Sequence, residues 1–359
     1  MRARARELGI AIGSLPPGPE NAITDVPGVR VGHATIVEGE SVRTGVTVVL
    51  PHEGNAWDEP VFAGAHRLNG NGELTGLEWI RESGLLTSPV GLTNTHSVGL
   101  VRDALVAAEV ESRGGDGDFW SLPVVGETWD GVLNDIGGQH VRPEHVRSAL
   151  ADAGGGPVAE GSVGGGTGMI CHGFKGGIGT ASRLVGAHVV GVLVQANYGR
   201  RERLRIDGVP VGELIPAQET PLPGPPYAGP GGSIIVLVAT SAPLLPDQCE
   251  RLAQRAGLGV GRMGGVGENS SGDLFLCFAT GNRGLPAGDE AASVPATVAL
   301  RMVPAQRLTP YFDAVVEATE EAIVNALCAA ETMSGHRGAL AHELPLERLR
   351  KILAGRAAF

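Results

Sequence analysis

The alternation of apolar and polar positions in this chain predicts strands before anything else. Residues 29–36, Val-Arg-Val-Gly-His-Ala-Thr-Ile, alternate as a half-exposed strand does, behind turn chemistry in residues 21–28. A second strand is predicted over 45–50, stopped by Pro51. Three later runs, 188–195, 233–239 and 274–280, are almost continuously apolar, the pattern of strands buried on both faces. Helices are predicted where the spacing changes: from a glycine loop at 69–76 to about 83, over 98–111, over 246–256, from 309 to about 333, and over 344–353. In the 309–333 segment Thr309 is placed to cap and Pro310 to begin the helix. Its apolar stripe runs Phe312, Val315, Val316, Ile323, Val324, Leu327 and takes in Thr319, which is expected to face the interior. Glu317, Glu320 and Glu321 are expected in water, Glu321 lying about 200° around the wheel from Thr319. Residues 216–232, with six prolines, read as a loop rather than a domain linker, because core strands lie on both sides.

Composition sharpens this picture in two ways. Of 359 residues 42% are hydrophobic but only 4% aromatic, and 56 are glycine, so the core is aliphatic and the chain turns tightly. The net charge of −11, with no basic block longer than Arg200-Arg201, argues against a nucleic-acid partner. Cys171, Cys249, Cys277 and Cys328 are far apart and signal neither zinc nor disulfides. Residues 8–15 are broken by glycine and lack the apolar core of a secretory signal, and no run reaches the ~18 apolar residues of a membrane helix. A cytoplasmic protein with no membrane partner is expected. His33 has no second ligand at chelating spacing, so it is read as structural, and no metal is expected.

The stretch with most chemical content is 264–273, Gly-Gly-Val-Gly-Glu-Asn-Ser-Ser-Gly-Asp, running straight into the strand at 274–280. It places Ser271 at the mouth of a core strand. A serine there can be a latent N-terminal nucleophile. Its hydroxyl attacks the Ser270 carbonyl, and the α-amine freed by cleavage, with an ordinary pKa of ~7.7–8, then serves as its base. On local sequence alone a plain turn is the stronger reading, since the same residue types dominate turns. Asn197, at the end of the 188–197 strand, is placed either to donate to an oxyanion or to cap a turn. Residues 123–131 bring Glu127, Trp129 and Asp130 together; paired carboxylates can do acid–base work or hold an ammonium, but surface carboxylates are the simpler reading. Residues 93–97 would lie at a strand end before a helix, where sites are built and where caps are also made. The glycine loops at 69–76 and 160–180 miss the dinucleotide and phosphate-loop spacings; the second marks close backbone approach, around a ligand or at a chain reversal.

Taken together, residues 21–33, 70–79, 93–99, 160–182, 192–197 and 269–278 resemble the L-aminopeptidase D-Ala-esterase/amidase family, DmpA, with its β-peptidyl aminopeptidases. The likeness spans nearly the whole chain and reverses the local preference for a plain turn. It implies one α/β (α+β) domain over 1–359, a four-layer αββα sandwich similar in layout to the N-terminal-nucleophile hydrolases. It further implies self-cleavage between Ser270 and Ser271 into 1–270 and 271–359.

By the same resemblance Asn197 matches the oxyanion donor, and Glu127 an acidic position near the substrate amine. Thr319 and Glu321 match a hydroxyl and a glutamate that support the nucleophile. The implied activity is release of N-terminal residues from small peptides, amides or esters through an acyl-Ser271 intermediate, with no cofactor, in a homo-oligomer. Two positions depart from the family pattern: Ser270 where glycine is usual, and Trp129 where tyrosine is usual. An indole can stack and donate but cannot accept a proton. Other readings remain: a related amide-oligomer hydrolase, an acyltransferase of similar fold, or an uncleaved small-molecule binder.

Overall fold

A computed structural model describes residues 2–115, 119–224, 232–287 and 295–355. Two sheets lie face to face. The smaller carries Arg30–Glu38, Val42–Leu50, Val90–Asn94 and Val124–Thr128 in that order. The larger carries Leu85–Leu86, Val61–Arg67, Asp273–Ala279, Ser233–Thr240, His188–Asn197 and Gly177–Val185. Its neighbours are antiparallel except Ser233–Thr240 and Asp273–Ala279, which run parallel with Ile234 opposite Asp273. A parallel pair needs a crossover, supplied here by the helix Pro246–Arg262.

The pleat explains the layers. On strand Ser233–Thr240, Ile234, Val236 and Val238 enter the core beneath the helices Pro246–Arg262 and Thr309–Ala329, while Ile235, Leu237 and Ala239 point to the opposite core between the sheets. The outer face of the smaller sheet buries Ala34, Val46 and Val48 against Val101, Leu105, Val146 and Ala149 of the helices Val98–Ser112 and Pro143–Asp152. Helix, sheet, sheet, helix is the four-layer αββα order expected, and the runs expected at 188–195, 233–239 and 274–280 are buried on both faces over 190–195, 233–239 and 274–279.

Several expectations are corrected. The helix begun near 246 continues to Arg262, through Gly257, Gly259 and Gly261. Glycine costs helix stability, but a Cβ on Gly259 would stand 2.7 Å from Thr319 Cβ, so its absence lets the two helices touch. The helix begun near 309 ends at Ala329, and Met333 lies instead in a two-stranded ribbon with Leu340–Ala341. Thr309 supplies no cap hydrogen bond; Leu308 precedes the helix after the short turn Ala305–Arg307.

Glu317, Glu320 and Glu321, expected in water, are all buried: residues 5–21 cross over Glu317 and Glu321, while Glu320 lies against Asp207 and Arg262. Ser14 N and Leu15 N donate to Glu317 at 2.8 and 3.0 Å, and Ala5 N donates to Asn325 Oδ1 at 2.9 Å. Glu127 and Asp130, read as surface carboxylates, are 2% and 1% exposed.

The glycine density at 160–180 serves chain packing: a Cβ on Gly177 would lie 1.9 Å from the Gly161 carbonyl oxygen, and one on Gly179 2.0 Å from that of Ala322. His33 is structural, its Nδ1 2.9 Å from Thr47 Oγ1 and its pKa pushed down to about 4 by burial. The prolines at 225, 226 and 230 lie outside the described residues; the described part, 216–224, carries no helix or strand.

Candidate active site

Ser271 is buried at the head of strand Asp273–Ala279. Its hydroxyl donates to Asp273 Oδ1 at 2.5 Å. Burial raises the Asp273 carboxyl above its ordinary range, the Ser271 hydrogen bond pulling back and the Glu268 charge adding to the rise. A carboxylate so placed can take a hydroxyl proton near neutrality.

Two asparagines from the glycine loop clamp this turn. Asn69 Oδ1 accepts from Asp273 N at 2.6 Å, and its Nδ2 donates to the Glu268 carbonyl at 2.9 Å. Asn71 Nδ2 donates to the Ser270 carbonyl at 2.8 Å, and Asn71 N to the Ser271 carbonyl at 3.2 Å. The chains cross at two glycines: a Cβ on Gly272 would stand 2.6 Å from Gly72 Cα. Glu268 is held from below by Arg200 and Arg203 at 2.8 and 3.1 Å. The cavity between residues 264–268, Tyr198, Ser271 and Asp273 is about 10 Å³, room for one water at most. The loop before Ser271 fills the space beside it.

Glu127 approaches from the smaller sheet. A Cβ on Gly72 would lie 3.0 Å from both Glu127 Oε1 and Gly272 Cα, so the carboxylate abuts the crossing next to Ser271. Glu73 N donates to its Oε1 at 3.0 Å and the Thr95 hydroxyl to its Oε2. Burial pushes its pKa up, and these two hydrogen bonds oppose the shift. The polar residues at 93–97 thus reach the site through Thr95. Asn197 lies opposite Ser233 in the sheet, and Ser233 Oγ accepts from Gly272 N at 3.0 Å. Asn197 Oδ1 accepts from Ile170 N at 2.7 Å and its Nδ2 donates to the Trp129 carbonyl at 2.9 Å, leaving one of its two amide hydrogens for an oxyanion. The Trp129 indole is 42% exposed and folds back over Gly131.

Contacts therefore link Ser271, Asn197, Glu127 and Trp129, while the contacts of Thr319 and Glu321 are with other groups. Thr319 is fully buried against Gly259, and its Oγ1 has no hydrogen-bond partner among the described residues. Glu321 is spent on three other groups: Arg6 at 2.8 and 2.9 Å, Asn21 at 2.6 Å and Arg183 at 2.6 Å. The acid of this helix on the site's side is Glu320. It pairs with Arg262 at 2.9 Å, burial raises its pKa, and its charge joins that of Asp273 in raising the buried Tyr198 phenol, whose shift comes chiefly from burial.

Asp273 carried a sequence signal, as the acid two residues after the serine. Asn69, Asn71 and Tyr198 carried none, because only the fold sets residues 69–71 beside residues 268–273. Among the described residues no group of three or more His, Cys, Asp or Glu side chains is placed to hold a metal ion, and no helix is long and apolar enough to cross a membrane.

Residues 21–341 match peptidase family S58. Over 374 aligned residues the chain is 48% identical to the β-peptidyl aminopeptidase BapA of Sphingosinicella microcystinivorans, spanning 98% of this chain and 91% of that protein. Among solved structures it is similar to a β-aminopeptidase of Burkholderia sp., at a TM-score of 0.92 and 57% identity over 98% of each chain. It is also similar to the L-aminopeptidase D-Ala-esterase/amidase of Ochrobactrum anthropi, described as a variant of the Ntn-hydrolase fold, at a TM-score of 0.89 and 44% identity over 99% of each chain.

Proposed function

The chain belongs to peptidase family S58 and is a hydrolase of the aminopeptidase and amidase class, and on that premise we propose that it cuts itself before Ser271 and then uses that residue as an N-terminal nucleophile. In the first reaction Ser271 Oγ bonds to the Ser270 carbonyl carbon while Asp273 takes the hydroxyl proton. The intermediate collapses with loss of the Ser271 nitrogen, which receives that proton. Water then opens the ester, leaving a carboxylate on Ser270 and a free amine and hydroxyl on Ser271.

In turnover the freed amine accepts the hydroxyl proton as Oγ attacks the substrate carbonyl. The remaining Asn197 amide hydrogen stabilises the oxyanion, and the acyl-Ser271 ester is hydrolysed by water. Glu127 holds the ammonium of the substrate: its carboxylate is buried, hydrogen-bonded in the ionised form and adjacent to Gly272. The exposed Trp129 indole offers a stacking face at the rim. Thr319 and Glu321 receive a supporting role in the helix rather than a part in the chemistry.

The observation that carries this reading is the 2.5 Å hydrogen bond from Ser271 to a carboxylate whose pKa burial has raised. Mass spectrometry tests it: two fragments, 1–270 and 271–359, are expected from the wild type, and one intact chain from Ser271→Ala. Splitting of the Ser271→Ala chain would overturn it.

β-Aminoacyl p-nitroanilides are the first substrates to try, set against L- and D-α-aminoacyl ones, because two of the similar proteins are named for β-peptides. We place the enzyme in the cytoplasm, a reading supported by its four buried free cysteines. We also take it to be a homo-oligomer: Val298, Leu300 and Met302 expose alternate apolar side chains, and sedimentation should return a multiple of the chain mass.

A further inference from the structure

We infer that Asn71 is the oxyanion donor for self-cleavage, and that this task is separate from the turnover task of Asn197. The inference rests on the proposed cleavage at Ser271 and adds the group that activates the bond to be cut. The scissile carbonyl is that of Ser270, and the side-chain amide of Asn71 already points at its oxygen, Nδ2 to O 2.8 Å.

When Ser271 Oγ adds to the carbonyl carbon, the C=O electron pair moves onto this oxygen. A neutral hydrogen bond then becomes a charge-assisted one, roughly twice as strong. Strengthening in the transition state alone is what accelerates a reaction. The Ser271 hydroxyl is meanwhile bonded to Asp273 at 2.5 Å. The donor is thus on the carbonyl oxygen and the base on the hydroxyl while Ser270 and Ser271 are joined.

Asn197 does not face this carbonyl: its side chain is bonded to the Trp129 carbonyl and Ile170 N, whereas that of Asn71 is on the Ser270 oxygen. The turn keeps other ties besides the Asn71 side chain. It is exposed, its own backbone N–H holds the Ser271 carbonyl at 3.2 Å, and Asn69 ties both Glu268 and Asp273. Its amide can therefore have a chemical role as well as a clamping one. Once the bond is cut, the Ser270 carbonyl becomes a carboxylate and that role ends.

The test follows splitting of full-length chain on a denaturing gel, with activity expressed per split chain. Asn71→Ala and Asn71→Asp are expected to slow splitting at pH 7 by about 10²–10³-fold, the usual loss of one oxyanion donor. Their kcat/KM per split chain should stay within about threefold of wild type. In Asn71→Asp the ratio of its splitting rate to that of wild type should rise as pH falls toward ~3.9, where the new carboxyl regains a proton to donate. A structural defect would not reverse with pH. Thermal unfolding beside Ser271→Ala reports whether each variant is folded.

Splitting of Asn71→Ala at the wild-type rate overturns the inference. So does a fall in kcat/KM per split chain equal to the fall in splitting, because one donor would then serve both reactions. If the wild type does not split, or Ser271→Ala does, it is the self-cleavage reading that fails.

Discussion

Asp273 accepts the Ser271 hydroxyl at 2.5 Å from two residues along the same chain, at the point where a glycine crossing turns into a core strand. Asp273→Asn keeps the shape and removes the base, so splitting should slow by about 10²–10⁴-fold, as general-base losses do. Burial raises the Asp273 pKa, so its proton is retained to a higher pH than on an exposed aspartate. Wild-type splitting should accordingly begin to fail above the ~3.9 of an ordinary aspartate as the solution is acidified. Time courses on denaturing gels between pH 4 and 8 measure both effects.

Arg183 and Glu321 form a fully buried ion pair at 2.6 Å, with Glu317 on the same guanidinium at 3.0 Å. Removing one partner strands a charge in the core and costs about 3–5 kcal/mol. Glu321→Ala in the unsplit Ser271→Ala chain should show that loss in denaturant unfolding. Glu321→Gln, which can still accept from Arg183, should lose less and leave kcat per split chain within about threefold. A collapse of kcat with stability intact would return Glu321 to the chemistry.

Gly272 cannot take a side chain where it stands. Its Cβ would lie 2.5 Å from the Asn71 carbonyl oxygen and 2.6 Å from both Gly72 Cα and Gly72 N, all of them backbone atoms. Gly272→Ala must push the two loops apart, at about 1–3 kcal/mol, and carry Ser271 away from Asp273. Its splitting should be lost while Gly257→Ala, whose Cβ meets only a Phe275 ring edge at 3.2 Å, still splits.

Two groups set the acid limb of turnover. The free Ser271 amine must be neutral to accept a proton, so kcat/KM should fall below its ordinary pKa of ~7.7–8. Glu127 must be ionised to hold an ammonium. Burial raises its pKa, so its protonation weakens substrate binding at a higher pH than an exposed glutamate would. Glu127→Gln should raise KM about 10- to 100-fold, the worth of one charged hydrogen bond, with a smaller change in kcat. Esters without an amino group should be indifferent to that substitution.

The strands at 188–195, 233–239 and 274–280 were legible because two-sided burial demands unbroken apolar runs, and Ser271 stood out because it opens one of them. The helices at 98 and 246 were legible from spacing. Periodicity reports which face of an element is apolar, and says nothing about what later covers its polar face. Glu317 and Glu321 therefore looked solvated until residues 5–21 crossed them and Arg183 entered from a strand, and Glu320 until Asp207 and Arg262 met it. Asn69 and Asn71 looked like a helix-opening loop, because their partners lie about 200 residues away. The sequence by itself determined the buried strands and the place of Ser271 at a strand mouth, since both follow from local patterning. Only the tertiary structure decided which amide faces the Ser270 carbonyl, which acid faces the hydroxyl and which groups the helix glutamates meet, because hydrogen-bond partners are chosen by distance in space.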